Sequence, residues 1–288
     1  MPDPGPFSKL AAMMPRRLVV FTDVDGCLLD ARTYRLGPAR IVLRRLHRAG
    51  VPIILCTSKT EAEVRALERA IGFRLPAIVE SGGAVAIPAG SLPVPVPPGT
   101  PRRRTREGLL VPLAVGIDEV RAGLAEIGAL MGGAVRGFGA MSEAELRALT
   151  GLAPAEIRLA RRRQFDEPFV FLRTPRGRTA AIRRVLARRG LTITRGAIMN
   201  HLHGRTDKGH ATRIVIHWFH HAGWAPVTVG FGDGPHDVAL LGAVDHPVIV
   251  PRRDRAPDPH LRRGVPRAIV APAPGPAGWA AVARRLLQ

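Results

Sequence analysis

Lysine is nearly absent from this 288-residue chain: Lys9, Lys59 and Lys208 are the only three, against 40 arginines. Cysteine is almost as scarce. Cys27 and Cys56 are too few for the disulfide framework of a small secreted protein, and each closes an apolar run, which suits a small buried hydrophobe. Aromatic residues make up 5%, with a single Tyr, so the chain offers few platforms on which nucleobases could stack. Apolar runs are short and broken by Gly, Pro or Arg. None approaches the roughly 18–20 residues of a membrane span, and no membrane association is expected. The first 15 residues hold no apolar stretch long enough for a signal peptide. They read as a disordered leader, and the chain as cytoplasmic.

Acidic residues are also in deficit, 23 against 43 cations, for a formal charge of +20. That excess invites a nucleic-acid-binding reading. The arginines, however, are spread over helices throughout, with short clusters at Arg102-Arg103-Arg104 and Arg161-Arg162-Arg163, and no nucleic-acid motif accompanies them. The ratio of arginine to lysine points instead to a general preference for arginine, which weakens the total charge as a guide to partners. What remains is an ordinary globular composition, 46% apolar with mean hydropathy near zero. It is enough for one large domain or a core with one insertion.

Hydrophobic patterning predicts strands alternating with helices. Leu18–Phe21, Val51–Leu55 and Ala77–Val79 read as buried strands, and Pro38–Ala49 and Glu61–Ile71 as amphipathic helices closed by Gly50 and Gly72. The same rhythm resumes with a helix at Lys208–Ala222 and strands at Val227–Phe231, Pro247–Val250 and Ala268–Val270. This is the pattern of an α/β fold, a Rossmann-like parallel sheet with right-handed crossovers. Between the two halves, Pro and Gly crowd positions 88–101. Four helical stretches follow (Gly116–Met131, Ser142–Thr150, Pro154–Arg163, Arg178–Arg189), with short strands near 169–173 and 191–194. The expected organisation is a core of 16–88 and 200–288 with an inserted α+β cap over 89–199.

In a parallel sheet, chemistry collects at the carboxyl ends of the strands. The first strand runs into Asp23-Val24-Asp25-Gly26, where two carboxylates could serve one ligand and the glycine allows a sharp turn. One Asp can attack phosphorus while the other handles the leaving-group proton. An Asx turn fits the same residues. The second strand ends in Thr57-Ser58-Lys59, which suits phosphate oxygens or an ordinary helix N-cap. The strand at 227–231 ends in Gly232-Asp233-Gly234-Pro235-His236-Asp237, whose two carboxylates suit a hard divalent ion. Lys208 lies between them in sequence, in Thr206-Asp207-Lys208-Gly209. In a chain that otherwise uses arginine, two of three lysines fall in these loops. An ammonium is a compact point charge that fits between a carboxylate and a phosphate.

Taken in this order, the four segments resemble the motifs of the haloacid dehalogenase (HAD) superfamily of phosphatases, with a cap similar to that of the Cof-like subgroup (type IIB). Leu55–Thr60, Val79–Ala84, Leu149–Leu152, Gln164–Pro168, Asp207–Ala211 and Gly275–Trp279 narrow the resemblance to the mannosyl-3-phosphoglycerate phosphatase family. The resemblance implies Asp23 as nucleophile, Asp25 as general acid then base, Thr57 as a phosphoryl ligand and Lys208 as the steadying cation. It implies Mg²⁺ held by the Asp23 side chain, the Asp25 carbonyl and Asp233, with Asp237 close by or acting through water, and a phosphorylated sugar-glycerate as the small-molecule partner. Gly26, Ser58, Lys59, Glu167 and His201 are candidate substrate contacts. A glucosyl-3-phosphoglycerate or another sugar phosphate is the alternative substrate. Several positions depart from the family: Cys27 for Thr, Ser81 for Asn, Gly234 for Ser, His236 for Asn, and Ile198 where an Arg is usual. The sequence does not speak to oligomeric state.

Overall fold

The computed structural model describes residues 18–196, 198–252 and 257–287; the expected leader lies outside them. The core is built on β1 (Leu18–Asp23), flanked by β2 (Ile53–Cys56) and β11 (Val227–Gly232). With β3 (Ala77–Val79), β12 (His246–Ile249) and β13 (Ile269–Val270) these pair in parallel, in the order β13-β12-β11-β1-β2-β3. Side chains alternate across the sheet. Leu18 and Val20 join one apolar cluster with Leu43, Leu55 and Trp279, while Val19 and Phe21 join another with Ile54, Val215 and Trp218. Burial of both faces is why these strands read as continuous apolar runs.

Beyond β3 the sheet turns antiparallel through β4 (Ala84–Pro88), β6 (Gly108–Pro112) and β5 (Arg103–Thr105). Residues 103–112 therefore belong to the core sheet, although the Pro-rich stretch at 88–101 suggests that the cap begins at 89. The cap's own sheet pairs antiparallel in the order β7 (Val135–Gly137), β8 (Asp166–Phe171), β10 (Asn200–Gly204), β9 (Leu191–Arg195). Residues 200–204 thus stay with the cap, and the core resumes only after them. Helices Ile117–Leu130 and Thr179–Arg189 pack on this sheet through Val120, Leu124, Ile127, Ile182 and Val185.

Hydrogen bonds involving Glu80 and Thr60 help tie cap to core. The Glu80 carboxylate accepts the backbone N–H groups of Gln164, Phe165 and Asp166 at 2.7–3.0 Å. Thr60, N-cap of the helix Glu61–Ile71 in a reciprocal capping box with Glu63, also donates its hydroxyl to the Leu159 carbonyl at 3.0 Å. Cys27 and Cys56 are free and buried, as small hydrophobes. Among the described residues no helix is long and apolar enough to cross a membrane.

Candidate active site

β1 lies where the strand order turns back, with β2 on one side and β11 on the other. Loops leaving the carboxyl ends of neighbouring strands diverge at such a point and open a crevice. Asp23 is the last residue of β1. Its backbone is steadied through Thr22, whose hydroxyl donates to the Asp23 carbonyl at 2.8 Å and accepts the indole N–H of the fully buried Trp279 at 3.0 Å. The late Trp279 thus sets the position of the first motif.

Lys208 opens the helix Lys208–His221, whose N-cap is Asp207. Gly209 lets this helix end come in close: a Cβ there would lie 2.2 Å from the Ala239 carbonyl oxygen. That approach brings Asp237 to Lys208. The ammonium donates to Asp23 Oδ1 at 2.5 Å and to Asp237 Oδ1 at 2.7 Å, with all three side chains buried. Asp237 Oδ2 in turn accepts the backbone N–H groups of Asp233 and Gly234 at 3.0 and 3.2 Å. Both Asp237 oxygens are therefore occupied in holding the loop and the lysine.

Asp233 Oδ2 accepts from Arg252 Nε at 3.0 Å. Arg252 follows β12, so it too sits at a strand's carboxyl end, and that placement alone is a signal the sequence carries for it. Gly26 is needed where it stands: its φ is +86°, and a Cβ would meet Asp233 Oδ2 at 2.3 Å. Asp25 pairs with Lys59 at 3.1 Å.

Electrostatics divide the carboxylates. Burial, with the neighbouring Asp237 charge, holds the Asp23 carboxyl well above its usual range, and Lys208 only partly offsets this. Burial and Asp237 likewise push Asp233 up to about 6. Burial acts on Asp237 in the same sense, but Lys208 and His236 outweigh it and leave its pKa lowered. Burial disfavours the ammonium of Lys208, yet the two carboxylates beside it raise its pKa and keep it charged.

Asp23 Oδ2 and Asp25 Oδ1 are buried without a hydrogen-bond partner. Orphaned carboxylate oxygens of this kind call for a cation or a ligand. Asp23, Asp233, His236 and Asp237 each place a ligand atom within 4.8 Å of the others. The donor set, mostly carboxylate oxygen, fits a hard divalent ion.

A cavity of about 480 Å³ opens between core and cap, lined by Asp23, Asp25, Ser58, Lys59, His201 and Asp233 among others. The candidate residues of the first, second and fourth motifs thus meet, and His201 joins them from the cap. The His201 ring is fixed by Asp166, whose carboxylate lies 2.9 Å from Nδ1. Thr57 is buried, its hydroxyl accepting the Lys59 N–H at 3.1 Å. Glu167 stands elsewhere: it is buried within the cap, accepting from Arg121 Nε at 3.0 Å and the Gly139 N–H at 2.6 Å, and it does not line the cavity.

No protein-family model matches the chain. A protein of Persephonella marina, named glucosyl-3-phosphoglycerate/mannosyl-3-phosphoglycerate phosphatase, is 33% identical over 266 residues, 91% of this chain and 94% of its own. A protein of the same name from Methanococcoides burtonii is 30% identical over 261 residues, with the same coverage. The chain belongs to this phosphatase family. A solved phosphatase of the HAD superfamily from Bacteroides thetaiotaomicron superposes with a TM-score of 0.62 at 15% identity, covering 96% of this chain and 97% of that one. The fold is therefore that of a HAD phosphatase, a parallel-sheet core with a cap, and this chain is a phosphoric monoester hydrolase.

Proposed function

We propose that this phosphatase hydrolyses a 2-O-glycosyl-3-phosphoglycerate, mannosyl or glucosyl, to the glycosylglycerate and inorganic phosphate, with Mg²⁺ as cofactor. The observation that carries the mechanism is Asp23: one carboxylate oxygen is tied to Lys208, and the other is unpartnered beside the cavity. Lys208 fixes the carboxylate's orientation, so that Oδ2 is the oxygen free to attack phosphorus. As the Asp23–phosphorus bond forms, the bond from phosphorus to the glycerate oxygen breaks, and Asp25 gives that oxygen its proton. Water then attacks the aspartyl-phosphate, yielding a proton to Asp25 and releasing phosphate from Asp23. Phosphoryl transfer of this kind depends on in-line positioning and charge neutralisation.

Mg²⁺ held by the Asp23 side chain, the Asp25 backbone carbonyl and Asp233 would supply positive charge to the transferring phosphoryl oxygens. Asp237 orients Lys208 and, through its two accepted N–H groups, the loop that carries Asp233. Lys59 keeps Asp25 aimed at the cavity. His201, fixed by Asp166, offers the glycosyl part a positioned hydrogen-bonding nitrogen from the cap side. The names of the two relatives support the substrate, and the high arginine content adds a positive field that favours a doubly anionic one.

Phosphate release from a panel with Mg²⁺ present tests both parts: mannosyl- and glucosyl-3-phosphoglycerate, sucrose phosphate and simple sugar phosphates. Cleavage of the two phosphoglycerates well ahead of the rest is expected, and preference for another sugar phosphate overturns the substrate. Asp23→Asn is expected to keep the fold and lose turnover; a fully active variant refutes the nucleophile.

A further inference from the structure

The cavity must do more than hold a phosphate. If the substrate is a phosphoglycerate, a second anion, the carboxylate, enters with it. A carboxylate leaving water needs a cation with donors to spare. Besides histidine, four cations line the cavity: Lys59, Arg163, Arg195 and Arg252. Three are committed. Lys59 pairs with Asp25 at 3.1 Å, and Arg252 with Asp233 at 3.0 Å. The Arg163 side chain is 8% exposed, donates to the Ser58 carbonyl at 3.1 Å and lies 3.7 Å from Asp166, and its remaining Nε is buried out of reach of a ligand.

Arg195 is exposed and, alone of the four, makes no ion pair or side-chain hydrogen bond among the described residues. It is the last residue of β9, opposite Asn200 on β10, just before the turn in which the Gly196 N–H donates to the Met199 carbonyl at 2.9 Å. Ile198 in that turn lines the same rim, is 55% exposed and brings no charge. We infer that Arg195 is the carboxylate-recognition residue of the cap: its guanidinium takes the glycerate carboxylate while the phosphate lies at Asp23. A guanidinium suits this task because its planar fork matches both oxygens of a carboxylate. The inference rests on the proposed substrate class and names how that class is selected.

The test uses two inhibitors that differ in one group, 3-phosphoglycerate with a carboxylate and glycerol 3-phosphate with a hydroxymethyl in its place. Each is titrated against hydrolysis of p-nitrophenyl phosphate by the full chain with Mg²⁺. The parent enzyme is expected to prefer 3-phosphoglycerate. Arg195→Gln is expected to weaken that inhibitor about tenfold to a hundredfold, the span of one charged hydrogen-bonded contact. Glycerol 3-phosphate inhibition and the rate on p-nitrophenyl phosphate stay within twofold, and Arg195→Lys keeps part of the preference. Equal inhibition of the parent by the two compounds overturns the inference. So does an Arg195→Gln enzyme that keeps the preference, or one that loses both inhibitors alike. The glycosyl panel fails or succeeds separately: an enzyme inert on both glycosyl-phosphoglycerates, yet with an Arg195-dependent preference for 3-phosphoglycerate, loses the proposed substrate and keeps the carboxylate site.

Discussion

Lys208 is the side chain whose removal tests the site most severely. Its ammonium sits 2.5 Å from Asp23 and 2.7 Å from Asp237, out of solvent. At an effective dielectric near 20, each contact is worth about 6 kcal/mol before desolvation is subtracted. Removing one member of a buried charge set typically costs about 3–5 kcal/mol, because the remaining charges are left uncompensated. Lys208→Met is therefore expected to lose about 3–5 kcal/mol at pH 8, read as a lower urea midpoint with EDTA present. The loss has a pH signature. Without the ammonium, the folded pKa of Asp237 rises above the unfolded value and that of Asp23, already raised, climbs further, so the variant binds an extra proton when folded. Its stability is retained at low pH and falls as pH climbs through the raised values. The deficit against the parent is thus smaller at pH 5 than at pH 8. Adding Asp237→Asn to Lys208→Met removes one of the two facing charges and should recover about a third or more of the loss. A Lys208→Met protein within about 1 kcal/mol of the parent at pH 8 refutes the reasoning, as does a double variant no better than the single.

Two further predictions concern the first-motif loop and the contact between cap and core. Gly26→Ala places a methyl 2.3 Å from Asp233 Oδ2 at a backbone φ of +86°, so about 1–2 kcal/mol of backbone strain accompanies displacement of Asp233; the Mg²⁺ concentration that half-saturates activity should rise about tenfold or more, and an unchanged value would count against Asp233 as a ligand. Burial pushes the Glu80 carboxyl up to about 7, so Glu80 contributes stability that is present near pH 4 and lost as pH rises towards 7, about 3 kcal/mol at most; Glu80→Gln should flatten the urea midpoint against pH across that window, and parallel slopes would contradict it.

The parallel strands and the site at their ends were legible because both faces of that sheet are buried. Leu18–Phe21 and Val227–Phe231 carry no polar face to confuse the pattern, and each is followed at once by its carboxylates. The edges were not legible. β5 presents Arg103 and Arg104 to solvent at the rim of the sheet, so no apolar alternation marks it. β10 begins Asn200-His201 and runs on through Leu202 and His203, too polar to separate from a loop, and the cap boundaries shifted with both strands. Glu167 shows how little separates a substrate contact from a structural residue. Successive side chains on β8 point to opposite faces. Asp166 turns to His201 and the cavity side, and Glu167, one residue on, turns to Arg121 and Gly139 inside the cap. Composition around the motif cannot supply that register.

The scarcity of lysine gains a physical meaning from where the two described lysines sit. Lys59 and Lys208 are both spent on aspartates of the site, Lys59 on Asp25 and Lys208 on Asp23 and Asp237 together. Two arginines of the cavity each meet a single carboxylate: Arg252 meets Asp233, and Arg163 meets Asp166 together with the Ser58 carbonyl. The difference follows from shape. A guanidinium spreads its donors in one broad plane and pairs edge to edge with carboxylates lying in that plane, whereas an ammonium directs three donors outward from a point and fits the narrow space between two carboxylates, here at 2.5 and 2.7 Å. At Lys208 an arginine would have to place its larger plane between the same two oxygens, in a space where a Cβ on the next residue already meets backbone. The guanidinium would therefore force Asp23 away from Asp237 and turn its free oxygen from the cavity. A Lys208→Arg enzyme is expected to keep the charge and still lose most of its turnover, and wild-type turnover in that variant would show that charge alone, without its compactness, is what the site requires.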